Sequence, residues 1–579
     1  MPTHDEIRDQ LTGPGGAFEV EETTEIDGRP MKRFAERLPN LRMIPEVFGL
    51  AHGDKEFVVY GDRRITYADF LSQVNALSAW LSANGVGKGD RVAVLSQNNP
   101  EWCAAFWATV DLGAILVGLN GWWNADEILY GLTHSGSRVL VADSKRFERV
   151  AKDLAEAPEL ERVLLIDAEP GDFPKPDSVE VLRFGDAVAA GSDAESGSPG
   201  FPTTDIDESD PAVIFYTSGT TGRPKGAVST HGNMIANLQN TVFSLTFGSM
   251  TNPSASVTAD GSQPVSLLTS PLFHVSGCHS TLVVGFMGGM KLVIPEGRFD
   301  PEKVFGLIED EGVKIWATVP TMIWRATEHP TRHDHDLSTV ASVAFGGSPS
   351  ADELQKRIRE TFPNVKATSN AYGLTESSSV ATILSAGDEV EKVDSVGLPM
   401  PVVDIAIADP DGNHLGPNET GEVLIRGPII MAGYWNNPEA TAETIIDGWL
   451  HTGDVGHVDE EGYLFITDRA KDMLIRGGEN VYCVQIENRL VEHPDIADAA
   501  VVGVPHPELG EEVKAVIEVV DGAELSDEDV RQWVRETLAE FEVPTHVQRW
   551  PEKLPRNASG KLLKNVLRGE GHVSFEETM

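Results

Sequence analysis

Apolar residues fall along this chain in short runs separated by amphipathic stretches, and their spacing predicts strands alternating with helices over the first several hundred residues. One early unit shows the pattern. Thr66 followed by Asp69 predicts a capped helix start, Phe70, Val74, Leu77 and Leu81 recur at helical spacing, Gly85 and Gly87 end the helix, and 91–95 reads as a buried strand. Further strands are predicted at 138–142, 163–166, 212–216, 291–294, 314–319 and 340–345. This rhythm belongs to an α/β fold.

From about Ser395 the texture changes to short strands and turn signals, such as 422–426 and the turn Asp409-Pro-Asp-Gly-Asn413, which predicts a small β subdomain packed beside the α/β layers. After Asp468 comes a third texture: strands at 499–504 and 513–520, then a helix capped by Ser526 whose Val530, Trp533, Val534, Leu538 and Phe541 share a face. The expected division is a polar extension at 1–30, a large domain at 31–468 and a small α+β domain at 469–579. The extension is too polar to be expected in the core. The stretch 250–264, rich in Ser, Thr, Asn, Gly and Pro, reads as a surface loop.

Composition narrows the classes. The 579 residues are 41% apolar and 23% charged, as in ordinary globular proteins. A net charge of −44 offers no broad basic face, so nucleic acid is not an expected partner and any phosphate ligand must be gripped locally. Cys103, Cys278 and Cys483 lack the spacing of a zinc site or a disulfide framework, and the acidic start Met1-Pro-Thr-His-Asp-Glu6 is unlike a signal peptide. The longest apolar stretch, 281–290, is about half of the ~20 residues that span a bilayer. A cytoplasmic location without a transmembrane segment is expected, and a homodimer is left open.

The chemistry is carried by Tyr216-Thr-Ser-Gly-Thr-Thr-Gly-Arg-Pro-Lys-Gly226, which follows an apolar strand directly. Ligands of α/β sheets bind at such strand ends. The glycines let backbone N–H groups turn toward an anion, Thr217, Ser218, Thr220 and Thr221 add hydroxyl donors, and Lys225 adds charge. Triphosphate binding is implied. It is not a Walker A loop, because the spacing Gly-x-x-x-x-Gly-Lys is absent.

This segment resembles the phosphate-loop signature of the adenylate-forming superfamily, which comprises acyl-CoA synthetases, luciferases and peptide-synthetase adenylation domains. Further matches follow in the family's order: Pro271-Leu-Phe-His274, Gly346-Gly-Ser-Pro349, Asn370-Ala-Tyr-Gly-Leu-Thr-Glu376, Gly448-Trp-Leu-His-Thr-Gly-Asp454, Asp468-Arg-Ala-Lys-Asp472, Gly477-Gly-Glu-Asn480 and Leu554-Pro-Arg-Asn-Ala-Ser-Gly-Lys561. The resemblance implies a large domain of two α/β sheet subdomains plus a small β-barrel subdomain, carrying a mobile α+β lid that turns on a hinge near Lys471. It further implies ATP, Mg2+ and coenzyme A as ligands and a carboxylic acid as the substrate.

Residue by residue, the resemblance puts Lys561, Glu376, Thr221 and His274 at the chemistry, with Glu376 holding the Mg2+. ATP or AMP would be bound by Thr217, Ser218, Gly219, Thr220, Thr221, Gly222 and Lys225 at the phosphates. Gly347, Ser348, Asn370, Ala371, Tyr372 and Gly373 would line the base, Thr375 would also contact the nucleotide, Asp454 would grip the ribose with Arg469 close to ribose and phosphate, and Lys561 would reach the α-phosphate. Gly477 and Gly478 would line the tunnel for the pantetheine arm. His274, Pro320, Met322, Gly347 and Gly373 would form the acyl pocket, where an amino-acid-activating relative would instead carry an aspartate at position 274.

An acyl-CoA synthetase for a hydrophobic acid is therefore expected, with medium- to long-chain fatty acids ahead of bulky alicyclic and aryl acids. An acyl-AMP ligase that loads a carrier protein and an aryl-acid CoA ligase remain alternatives. A luciferase-like oxygenase and an inactive nucleotide-binding relative are weaker rivals, the last opposed by the intact Lys561, Glu376 and Asp454.

Overall fold

The computed structural model describes residues 3–23, 30–193, 202, 204–217, 223–253, 257, 261–346, 352–384, 392, 394–469, 472–476, 479–507, 509–520, 522–557 and 561–569. An eight-stranded sheet runs in the order Gly433–Tyr434, Lys225–Thr230, Pro211–Thr217, Ile115–Gly118, Arg91–Leu95, Val139–Ala142, Arg162–Leu165, Glu180–Arg183. From Pro211–Thr217 outward the pairs are parallel, as the strand-helix rhythm requires. Only the first three strands, at the phosphate-motif edge, pair antiparallel. The predicted strands of this sheet match within one or two residues, and the predicted helix runs Tyr67–Ala83, with the Thr66 hydroxyl accepting from the Asp69 N–H.

A second sheet is parallel at its centre through Lys291–Ile294, Val265–Leu267, Ile315–Thr318, Ser342–Gly346 and Ala367–Tyr372. Strand Ser395–Pro399 pairs with both Thr382–Leu384 and Leu464–Arg469. The small β subdomain expected beside the α/β layers is thus hydrogen-bonded into this sheet. Gly397 permits the junction: its φ is +90°, and a Cβ there would lie 1.9 Å from the backbone carbon of Ile383.

Between the two sheets, Phe57, Tyr67, Phe70, Trp107 and Phe286 pack ring against ring, all fully buried. The apolar stretch around 281–290 supplies Phe286 to this cluster as helix Val284–Met287. Truncating such an aromatic to alanine costs roughly 3–5 kcal/mol.

The polar start of the chain corrects one expectation. Thr3 caps helix His4–Thr12, and Ile7 and Leu11, one turn apart, bury 98% and 94% of their surface against Phe243 and its neighbours. Two apolar residues at the right spacing suffice to dock an otherwise polar helix. Arg8 also donates to the Pro399 carbonyl at 2.8 Å. The expected loop at 250–264 begins inside helix His231–Thr251, and its residues 254–256 and 258–260 lie outside the described ones.

The small domain has its own sheet, in which Gly510–Val519 pairs with Ile496–His506, Leu474–Arg476 and His546–Arg549. Helices Cys483–Val491 and Asp527–Arg535 contribute to its separate core, and Ser526 caps the second as expected. Val530 and Val534 are fully buried there, while Trp533 lies 3.7 Å beneath the Arg489 guanidinium. Among the described residues no helix is long and apolar enough to cross a membrane.

Candidate active site

Strands Pro211–Thr217 and Lys225–Thr230 form a hairpin whose tip carries the phosphate motif, with Thr217 paired to Lys225. The Thr217 hydroxyl donates to the Lys225 carbonyl at 3.4 Å. Ser218, Gly219, Thr220, Thr221 and Gly222 lie outside the described residues, as do Gly347, Ser348, Lys471, Gly477 and Gly478. The Lys225 ammonium stands 4.9 Å from the centre of the Tyr434 ring. A cation on an aromatic face keeps its charge available to an incoming phosphate.

Tyr434 organises this corner, and the sequence did not single it out. Its strand pairs with the hairpin, Ala227 opposite Tyr434, and its hydroxyl donates to Glu376 Oε1 at 2.9 Å. Burial and the Glu376 carboxylate both hold the Tyr434 phenol well above its ordinary pKa, so it remains a donor. Among the described residues Glu376 Oε2 has no hydrogen-bond partner. A partly buried carboxylate with one oxygen fixed and the other open fits a hard divalent cation such as Mg2+. Tyr434→Phe keeps the ring beneath Lys225 and removes only the hydroxyl. We expect the Mg2+ concentration for half-maximal pyrophosphate exchange to rise by about tenfold, the scale of one hydrogen bond to a charged group. An unchanged Mg2+ titration would remove Tyr434 from the site.

The turn after Glu376 is strained. Ser378 has φ +50° and Ser379 φ +113°, and both are buried. Neighbours hold them: His279 Nδ1 lies 3.0 Å from the Ser378 carbonyl, Ser229 Oγ 3.0 Å from Ser378 Oγ, and Ser280 Oγ 2.6 Å from Ser379 Oγ. Gly373 lets strand Ala367–Tyr372 pass beneath this turn, since a Cβ there would sit 1.5 Å from the Ser379 carbonyl oxygen. Gly373→Ala therefore displaces the turn that carries Glu376. The expected outcome is at least a tenfold loss of adenylation with a Tm lower by several degrees, read by pyrophosphate exchange and thermal melting.

Asp454 is 3% exposed and both its oxygens are engaged. Tyr372 Oη donates to Oδ2 at 2.7 Å, and Arg469 Nε lies 3.1 Å from Oδ1. The strand register explains the second contact, because Asp454 in Trp449–Val458 is paired directly with Arg469 in Leu464–Arg469. Burial, then the Asp454 charge, raise the Tyr372 pKa, so its hydroxyl stays protonated. Asn370 is spent on the scaffold, donating to the Ser395 carbonyl at 3.3 Å, and Ala371 is paired with Gly346. Thr375 opens the turn Thr375–Ser377.

His274 follows Phe273, whose ring centre is 4.8 Å away, and precedes the short helix Val275–Gly277. Its Nε2 is buried without a partner among the described residues. Burial first, and the nearby charge of Lys561 second, push its pKa down to about 4, so the ring is neutral at physiological pH. The lysine near the far end of the chain is thus close enough for its charge to act on His274, a residue of the predicted acyl pocket. The backbone N–H of Lys561 is fixed at 2.9 Å from Asn557 Oδ1, and its carbonyl accepts from the Asn557 N–H at 2.8 Å. The small domain touches the large one electrostatically elsewhere too, with the Lys553 charge facing Glu328. Of the residues predicted to form the acyl wall, Pro320 and Met322 are buried at the start of helix Pro320–Glu328, but their surroundings are less uniformly apolar than expected. Thr318 donates to Met322 Sδ at 3.2 Å and accepts from Thr269 at 2.9 Å, and Trp316 Nε1 donates to Thr269 Oγ1 at 3.0 Å.

Three groups thus assemble: Lys225 with Glu376 through Tyr434, Tyr372 with Asp454 and Arg469, and His274 with Lys561. Residues 47–435 match the family model described as AMP-binding enzyme, and 485–561 match that of the AMP-binding enzyme C-terminal domain. The chain belongs to the AMP-binding enzyme family. It is 35% identical to a feruloyl-CoA synthase of an Amycolatopsis species over 515 residues, covering 88% of this chain and 95% of that one. It is 34% identical to the long-chain-fatty-acid–CoA ligase FadD13 of Mycobacterium tuberculosis strain H37Rv, covering 88% and 93%. Among solved structures it resembles ATP-bound MatB from Rhodopseudomonas palustris, with TM-score 0.78 and 28% identity over 92% of this AMP-binding enzyme and 98% of that chain.

Proposed function

We propose that this AMP-binding enzyme is an acyl-CoA synthetase whose substrate is a hydrophobic carboxylic acid, a medium- or long-chain fatty acid or a bulky ring-bearing one. It is an acid–thiol ligase that forms AMP, with ATP, Mg2+ and coenzyme A as its other ligands. The observation that carries the reading is the corner at the phosphate hairpin where the Lys225 ammonium lies on the Tyr434 ring and the Tyr434 hydroxyl fixes Glu376, in a chain of the AMP-binding enzyme family.

In the first step a carboxylate oxygen of the acid bonds to the α-phosphorus of ATP, and the bond to the β-phosphate oxygen breaks, releasing pyrophosphate. Lys561 bridges the attacking carboxylate and the α-phosphate, where charge moves between them. Lys225 faces the departing phosphates, and Glu376, held by Tyr434, offers its open oxygen to the metal. Bound Mg2+ supplies charge neutralisation on those phosphates. Asp454 and Arg469 hold the ribose, and a neutral His274 borders the carboxylate without competing for it as an anion trap. In the second step the thiol of coenzyme A attacks the acyl carbonyl carbon, gives up its proton and displaces AMP. The lid must leave the first arrangement to admit it, turning near Lys471 so that Gly477 and Gly478 line the pantetheine path.

The same reading places the enzyme in lipid or aromatic-acid metabolism in a reducing cytoplasm, where its three buried thiols stay free. Self-association as a homodimer is read by sedimentation. The test of the whole reading is pyrophosphate release across acids of graded chain length and ring content, followed by mass spectrometry with coenzyme A. AMP and a CoA thioester with a hydrophobic acid are expected. AMP formation with no thioester would favour a ligase that loads a carrier protein, and no pyrophosphate with any acid would refute the activity.

A further inference from the structure

At the junction of the two domains lies a buried charge cluster that the proposed chemistry does not use. Asp468, the last residue of the large domain before the hinge motif, is 2% exposed. Its Oδ1 accepts from the Arg469 backbone N–H at 2.7 Å, and its Oδ2 is buried without a hydrogen-bond partner among the described residues. The lid closes over it. The start of helix Cys483–Val491 and the ammonium of Lys564, on helix Lys564–Arg568, are the lid groups that face it.

Lys564 is itself held within the lid. Its side chain is 11% exposed and lies 2.8 Å from Glu487 Oε1, which also accepts from the Val501 N–H at 2.7 Å. Asp472 lies beside it, accepting from Cys483 Sγ through its carbonyl at 3.0 Å and paired with Arg568 at 3.5 Å. Lys564 also stands three residues after Lys561, so whatever anchors it anchors the stretch that presents the catalytic ammonium.

Two opposing effects meet here. Asp468 is the large-domain charge beside Lys564, and its attraction favours the lid's present position, whereas Glu487 and Asp472 belong to the lid and move with Lys564. The ionised Asp468 carboxylate opposes it, because its Oδ2 is buried short of a full hydrogen bond, with only the Cys483 backbone N–H turned toward the group, and burying an incompletely paired charge is strongly unfavourable. Burial outweighs the Lys564 attraction and lifts Asp468 to about 6, so its neutral form fits this arrangement better than its charged one. Rotation of the lid about the hinge would carry Lys564 and Cys483 away and return Asp468 to water.

We propose that Asp468 and Lys564 form a charge pair across the domain junction that sets the balance between the two lid positions: Lys564 holds the adenylating arrangement, and the incompletely paired Asp468 carboxylate limits its lifetime. This makes both of them positioning residues for Lys561, and it rests on the two-position lid of the proposed function. The two partners therefore have opposite effects when neutralised.

The test places spin labels at Leu245→Cys and Val520→Cys, exposed positions on the large domain and the lid, while the three native cysteines are buried. The distance distribution is measured in the full enzyme by pulsed electron resonance, without ligand and with MgATP. Asp468→Asn should raise the ratio of this arrangement to the other at least tenfold, the scale of one pKa unit. Lys564→Met should lower it by a similar factor, and Lys564→Arg, which keeps the charge, should match the parent. Thermal melts report folding. If Lys564→Met does not fold, the near-isosteric Asp468→Asn carries the test alone. Unchanged distributions, or shifts in the same direction for the two neutralised variants, would overturn the proposal. Calorimetry with MgATP separates this from failure of the proposed function: an enzyme that does not bind ATP refutes that reading, whereas the ligand-free distances still report on the pair.

Discussion

Lys561→Ala is expected to reduce pyrophosphate exchange by about a hundredfold to a thousandfold while MgATP still binds. A fixed cation aimed at charge that develops in the transition state contributes on this scale, about 3–4 kcal/mol, because it is already in place when the reaction begins. Lys561 has the required fixity, since its backbone makes two hydrogen bonds with Asn557 and its charge is felt at His274. In the proposed site, ATP binding draws on other groups, those around Tyr434 and Asp454. The signature is thus a fall in kcat with little change in the ATP Kd, measured by isotope exchange and calorimetry. Transfer of the acyl group from a presynthesised adenylate to coenzyme A should be spared, because the proposed lid movement takes Lys561 out of the site before that step. Equal loss in both half-reactions would mean that Lys561 acts through folding.

Asp454→Ala is expected to weaken ATP binding by about a hundredfold, and more than Asp454→Asn does. Removing the carboxylate deletes the proposed acceptor for the ribose hydroxyls, and it leaves the Arg469 guanidinium and the Tyr372 hydroxyl facing a void. Breaking one side of a buried charged contact costs roughly 3–5 kcal/mol, part of which appears as lost stability. The two contributions separate by experiment: Tm reports the loss of the Tyr372 and Arg469 contacts, and the ATP Kd reports the ribose. An ATP Kd within twofold of the parent would show that the ribose lies elsewhere.

Much of this was legible because the deciding signals are local. Strand Pro211–Thr217 precedes its glycine- and hydroxyl-rich turn without a gap, and the Thr66 and Ser526 caps announce their helices one turn ahead. Strand Ile115–Gly118 was not legible. It follows helix Pro100–Asp111, in which every residue is buried, so apolar residues run almost continuously from one to the other and periodicity marks no boundary. Helix His4–Thr12 was missed for the opposite reason, since its two anchoring residues are outnumbered by polar ones.

At the site, motif residues were visible one by one, but their pairing was not. Tyr434 is separated from Glu376 by 58 positions, and nothing in Gly433-Tyr434-Trp435 distinguishes a tyrosine that orients a carboxylate from one that fills a core. The fold makes the connection by pairing that strand with the phosphate hairpin. The serines after Glu376 likewise read as a polar tract, and only their positive φ angles and the His279 contact show a turn under strain. The polar chain of Trp316, Thr269 and Thr318 beside Met322 was hidden for the same reason: its members come from different strands.

A crystal structure with a non-hydrolysable ATP analogue and Mg2+ tests the central claim most directly. The account predicts the γ- and β-phosphates at the Lys225 hairpin, the metal on Glu376 opposite Tyr434, the ribose on Asp454 and the Lys561 ammonium within hydrogen-bonding distance of the α-phosphate. A nucleotide bound with Lys561 turned to solvent and Glu376 away from the metal would contradict it.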